Sequence, residues 1–118
     1  MPDASLPRAR ILRHRNDFEA VRRQGRRVAS RHLALNFLRA ADRERQAGFI
    51  VPKACGNAVR RNQIKRRLRE IYRHHQHALT VDLWSVWIAR RGAADATFAE
   101  LQNEMLALYA RAGLETTA

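Results

Sequence analysis

Five side chains, Asn62, Lys65, Arg66, Arg69 and Arg73, recur at helical spacing and project to one side, a pattern suited to gripping a polyanion. At about 100° per residue they lie beside an apolar arc of Ile64, Leu68, Ile71 and His75, with Tyr72 at its margin. No acid stands among them. Arg60 and Arg67 point to the other flank of the apolar stripe, and Glu70 sits behind, within helical reach of Arg66 or Arg73. Cations about one turn apart match the task of following a phosphate backbone. Arginine, which predominates, adds bidentate phosphate contact and stacking on bases. The competing reading is a solvated helix face, but such faces normally interleave acids, because like charges at this spacing repel.

The whole chain leans the same way. Its 118 residues carry 23 Lys plus Arg against 11 Asp plus Glu, a formal charge of +12. Such a surplus repels itself unless a polyanion neutralises it, and nucleic acid releases condensed counterions when it does so. The charge is uneven. Arg8 to Arg31 holds nine Arg against Asp17 and Glu19, and Lys53 to Arg73 holds eight Lys or Arg against Glu70 alone. From Gly92 onward Arg111 faces Asp95, Glu100, Glu104 and Glu115, so the pattern fits a folded body with one basic side. An anionic membrane is the competing polyanion. The longest apolar run, Val81 to Ala89, is broken by Asp82 and Ser85 and is too short to span a bilayer. No apolar stretch follows the early arginines to form a signal-peptide core, so a cytoplasmic protein is expected. Cys55 is the only cysteine, which excludes an internal disulfide.

Catalytic and metal-ligating residues are not expected. A protein nuclease needs clustered carboxylates for metal, or a His pair beside a cationic stabiliser, and the acids here are scattered. Of His74, His75 and His77 only the first and third share a helical face, and no Cys or carboxylate completes a ligand set. Trp84 and Trp87, three apart on a strand, point to opposite faces and are expected in the core.

The elements that must position these residues follow from periodicity and punctuation. Asp17 is the expected cap of a short helix through Gln24, with Phe18 and Val21 on one face and Gly25 as its stop. A strand near Arg27 to Ala29 precedes a second in which Leu33, Leu35 and Phe37 form the clearly buried face. Gln46 to Val51 reads as a third, ended by Pro52. Gly56 and Asn57 turn into a long helix from Ala58 to Gln76, and Val81 to Arg90 is a strand apolar on both faces. Thr97 caps a last helix to about Ala110, with Phe98, Leu101, Met105 and Leu108 as its core stripe. The expectation is an α+β fold in a single domain over residues 1–118. It is an α/β sandwich of order α-β-β-β-α-β-α, with about four strands in one mixed or antiparallel sheet and three helices. Residues 1–10 and 114–118 are expected to fray.

The segment Lys53-Ala-Cys-Gly56-Asn57-Ala58-Val59-Arg60-Arg61-Asn62-Gln63-Ile64-Lys65-Arg66-Arg67-Leu68-Arg69-Glu70 closely resembles the signature of the bacterial ribonuclease P protein subunit. Asp17-Phe18 with Val21 and Gly25, the strand Gly48-Phe49-Ile50-Val51 and the strand end Ala89-Arg90-Arg91-Gly92 fall in the same order and at similar spacing. The resemblance covers roughly Arg8 to Tyr109.

That resemblance implies a cofactor to a catalytic RNA that removes the 5′ leader of precursor tRNA. The RNA subunit performs hydrolysis with bound magnesium; the protein holds no cofactor of its own and binds as a monomer in a 1:1 ribonucleoprotein. It implies RNA-contacting positions at Arg61, Asn62, Lys65, Arg66 and Arg69, and the basic run around them adds Lys53, Arg60 and Arg73 as expected RNA-binding residues. It also implies a cleft for the single-stranded leader at Phe18, Arg22 and Asn36, with Phe18 as the stacking surface. A left-handed strand-helix-strand crossover is implied as well, against the general right-handed rule. Arg22 and Asn36 stand where the family often has aromatics, and Gln63 replaces the third residue of its usual Arg-Asn-Arg triplet. These departures reduce base stacking more than binding. A structural RNA-binding module such as a ribosomal protein, a DNA-binding protein using the basic helix, and a stand-alone nuclease are the rival readings.

Overall fold

The structure, a computed structural model, describes residues 6, 10–40, 44–79 and 82–115. Seven elements follow in the order α1 (Arg15–Gln24), β1 (Arg26–Ala29), β2 (Leu33–Arg39), β3 (Gln46–Ile50), α2 (Ala58–His75), β4 (Leu83–Ala89) and α3 (Phe98–Ala112). The fold is α+β, with three helices and one mixed four-stranded sheet in the order β1-β2-β4-β3. β1 with β2 and β2 with β4 pair antiparallel, whereas β3 and β4 pair parallel and are joined across α2. The expected start of the last strand at Val81, and residues 1–5, 7–9 and 116–118 of the expected frayed ends, lie outside the described residues.

Alternation along each strand sorts the core into two layers. Leu33, Leu35 and Phe37 of β2, Ala47 and Phe49 of β3, and Leu83, Trp87 and Ala89 of β4 face α2 and α3. Ile64, Leu68, Ile71 and Tyr72 of α2 meet them, as do Leu101, Met105, Leu108 and Tyr109 of α3. On the opposite face α1 presses Val21 and Phe18 onto Trp84, Val86 and Leu38. β2 is therefore buried on both faces, more than its sequence suggested, because α1 covers the second one. Trp84 and Trp87 enter different layers, as their spacing requires, and each indole finds an acceptor: Glu44 O at 3.1 Å and the Tyr109 hydroxyl at 3.0 Å.

Several boundaries differ from expectation for local reasons. α1 begins at Arg15, with His14 as its N-cap; no side chain caps it, and Asp17 lies inside the first turn, where its charge suits the helix dipole. Tyr72 is 1% exposed instead of marginal, and His75 moves to the rim, its Nε2 3.3 Å from Gln102 Oε1, since α3 as well as the sheet packs on α2. Phe98 does not join the core stripe and is 39% exposed. Cα–Cβ bonds in a helix tilt toward its N-terminus, so the first residue overhangs the helix end. Thr97 makes the capping box expected of it, exchanging bonds of 3.1 Å with Glu100. Leu114, placed among the fraying residues by sequence, is buried at 4% exposure, and Glu115 bridges to Leu79.

Candidate nucleic-acid interface

Asn57 sets the start of α2: its Oδ1 accepts from the Arg60 N–H at 2.9 Å, and its carbonyl accepts from the Arg61 N–H. Gly56 makes the preceding bend at φ 129°, a conformation that side-chain-bearing residues rarely adopt. α2 then runs beside β3, the sheet edge, with the Arg61, Asn62, Lys65 and Arg69 side turned outward.

Two depressions follow that side. The first, about 160 Å³, is lined by Val51, Ala58, Arg61, Asn62 and Lys65. The second, about 240 Å³, is lined by Ile11, Leu12, Arg13, Phe18, Phe49, Lys65 and Arg69. Lys65 belongs to both, so a groove joins the basic side of α2 to the Phe18 ring. Among the described residues Lys65, Arg66 and Arg69 make no ion pair, and the buried Nε of Arg61 finds no hydrogen-bond acceptor.

Other candidate residues are committed elsewhere. Arg73 donates to Glu70 at 2.5 Å, and His74 lies 3.0 Å from the same carboxylate. The Arg73 hydrogen bond holds the Glu70 carboxyl below its ordinary range, with His74 adding to the effect. His77 is instead beside Arg45, so the two histidines that share a face do not converge. Arg60 lies 3.9 Å from Asp95, and Arg67 donates to Ala96 O at 3.2 Å. Lys53 is exposed in the short helical turn Lys53–Cys55 ahead of α2. Cys55 is buried there, which pushes its thiol up in pKa, and donates to Arg90 O.

On the α1 side, Arg27, Asn36, Val86 and Gly48 stand opposite one another in a row across all four strands. Phe18 covers the Gly48 end of that row. Asn36 is 7% exposed, and Arg27 Nη1 approaches its Oδ1 at 3.5 Å. Arg22, one turn after Phe18, turns away from the sheet: it donates to Glu19 at 2.6 Å and its side chain is 63% exposed. Sequence reasoning missed Ile11, Leu12 and Arg13 as groove residues. Leu12 N–H donates to Ala47 O at 2.8 Å and Ile11 bridges Ala47, extending the sheet edge by a piece too short to register as a strand.

Among the described residues no three His, Cys, Asp or Glu side chains form a group that could hold a metal ion, and no helix is long and apolar enough to cross a membrane.

Comparison with known proteins converges on one family. The Ribonuclease P family model matches residues 6–113. The ribonuclease P protein component of Acidothermus cellulolyticus is 42% identical over 109 residues, covering 90% of each chain. That of a Nocardioides species is 37% identical over 115 residues, covering 95% of this chain and 98% of its own. Among solved structures, the RNase P protein of Staphylococcus aureus superposes with a TM-score of 0.84 at 28% identity, covering 92% of this chain and 100% of that one. The Thermotoga maritima protein gives 0.76 at 26% identity, covering 85% and 94%.

Proposed function

Because this chain belongs to the ribonuclease P protein family, we propose that its groove receives the single-stranded 5′ leader of precursor tRNA while the cations of α2 bind the catalytic RNA subunit. Family members are protein components of an endoribonuclease ribonucleoprotein, and the RNA of that particle is their partner. The observation that carries the finer reading is Lys65. It lines both depressions, so a single strand resting a base on Phe18 lies against the same cationic side of α2 that holds the RNA subunit. Arg61 and Asn62 line the first depression beside Lys65.

In this reading the protein binds and orients, and magnesium held by the RNA supplies the hydrolytic chemistry. The protein works as a monomer in the cytoplasm. Its positive field raises the local concentration of RNA and screens the repulsion between RNA subunit and substrate.

The test mixes the full chain with a bacterial ribonuclease P RNA and precursor tRNA at low magnesium. Cleavage should be stimulated, and the protein alone should cleave nothing. Replacing Lys65, Arg66 and Arg69 together by Ala should weaken RNA binding and flatten its log–log salt dependence by roughly 0.7 to 0.9 per lost contact. An unchanged slope refutes the α2 assignment. Binding without stimulated cleavage would instead favour a purely structural RNA-binding module.

A further inference from the structure

A second group of cations gathers at the end of the sheet where β4 finishes. Antiparallel pairing sets the start of β2 against that end, with Leu33 opposite Ala89, and parallel pairing sends the β3–α2 connection to the same place. Arg31 at the β1–β2 turn, Arg90 and Arg91 after β4, and Lys53 after β3 therefore meet at one end of the molecule. Cys55 Sγ, bonded to Arg90 O, ties the last two segments together.

The turn that carries Arg31 is held from both sides. Glu104 of α3 accepts from the Ser30 hydroxyl at 2.5 Å and the His32 N–H at 2.8 Å, and its other oxygen lies 2.6 Å from His32 Nδ1. Arg90 donates from Nη1 to Ser30 O at 2.7 Å and from its backbone to His32 O at 2.8 Å. One carboxylate and one arginine thus fix the backbone around Arg31 while its own side chain is exposed. Arg91 precedes Gly92, which turns the chain at φ 94°, and a depression of about 250 Å³ lies between Arg31 and Arg91. Asp95 and Glu100 form its other wall: the exposed Asp95 carboxylate lies 3.9 Å from Arg60, and Glu100 closes the Thr97 cap. Among the described residues Arg31 and Arg91 make no hydrogen bond or close ion pair, although the Arg31 charge acts on Glu100 across the depression.

We propose that this end of the sheet is a second RNA-docking surface, on which Arg31 and Arg91 hold phosphates of the RNA subunit. Three contacts to Glu104 and two from Arg90 fix the backbone from which Arg31 projects, and the planar guanidinium fork is itself pre-organised for a phosphate. The partner is the RNA subunit and not the leader because of position. The groove runs along the β3 edge of the sheet, between α1 and α2, whereas Arg31 and Arg91 lie past the start of α2, toward β1. A single strand held at Phe18 leaves this end uncovered; a folded RNA with several backbone strands reaches both. The inference rests on the chain acting as a ribonuclease P protein.

The experiment uses the full chain with Arg31→Ala and Arg91→Ala together. Binding to the ribonuclease P RNA should weaken, and the magnitude of its log–log salt slope should fall by about 1.4 to 1.8. The preference of the assembled enzyme for precursor over leaderless tRNA should stay as in the wild type. Arg31→Lys with Arg91→Lys, which keeps both charges, should restore the slope. A wild-type slope in the double Ala variant, while Lys65→Ala with Arg69→Ala lowers it, overturns this surface and leaves the α2 reading standing. Loss of leader preference in place of RNA-subunit affinity overturns the assignment of partner. If neither pair changes the slope, both readings fall.

Discussion

The Phe18 ring occupies the space that a side chain at position 48 would need: a Cβ built on Gly48 would lie 2.5 Å from Phe18 Cε1 and 2.7 Å from Cζ. The smallest residue on β3 thus lets α1 bring its aromatic ring down against the sheet and beside Lys65 and Arg69. Gly48→Ala should push the ring out of the groove at a cost of about 1–3 kcal/mol, the usual range for overpacking. The assembled enzyme should then lose affinity for precursor tRNA with a long leader while binding leaderless tRNA normally. Equal losses for both substrates would contradict the placement of the leader at Phe18.

Arg73 belongs to the cationic series by spacing but is tied to Glu70 at 2.5 Å. The pair persists through neutral pH, because the Arg73 hydrogen bond keeps the Glu70 carboxyl ionised below its ordinary range. Arg73→Ala should therefore leave the salt slope of RNA binding nearly unchanged, unlike Lys65→Ala or Arg69→Ala. Glu70→Gln should remove the competing carboxylate charge and steepen the slope by up to about 0.9. A slope that drops on Arg73→Ala would show that RNA displaces Glu70.

Glu104 couples stability to acid pH. Burial alone would raise its carboxyl, but the bonds from Ser30 and His32 outweigh it and bring the folded-state pKa below the ordinary 4.5. A depressed carboxyl contributes stability above its unfolded pKa, and that contribution is lost as pH falls through the folded value. Wild-type protein should thus lose stability below about pH 4.5 more steeply than Glu104→Gln, while at neutral pH the variant should be weaker by about 1–3 kcal/mol. Denaturant titrations from pH 3 to 7 on both proteins provide the check; parallel profiles would exclude the coupling.

What the sequence revealed and what it concealed divide along physical lines. The outward side of α2 was legible because helical geometry is local: Asn62, Lys65 and Arg69 follow from 100° per residue. So was the split of Trp84 and Trp87 between two layers, which needs only strand alternation. The meeting of Phe18 with Lys65 was not legible, because it depends on β3 taking the sheet edge beside the Ile11–Leu12 segment, a matter of strand order. Nor could spacing decide whether Glu70 pairs with Arg66 or Arg73. The family resemblance pointed to Arg22 as a cleft residue, yet Glu19 draws it away. Charges choose among near-equal partners by rotamer, and periodicity does not see rotamers.

The pair at the centre of the core offers a test that separates folding from RNA contact. Trp87 Nε1 donates to the Tyr109 hydroxyl at 3.0 Å, and the two rings meet edge to face at 5.2 Å. Both residues are buried, at 0% and 1% exposure. Tyr109→Phe keeps the ring and its packing but leaves the indole N–H without its acceptor in a place water does not reach. Such a loss costs about 1–3 kcal/mol, which for a domain of this size lowers Tm by several degrees. Neither residue touches the groove or the Arg31 end, so the folded variant should bind RNA with the wild-type salt slope. A normal Tm would mean that the indole finds another acceptor, and a changed slope at full folding would mean that the core sets the spacing of the surface cations.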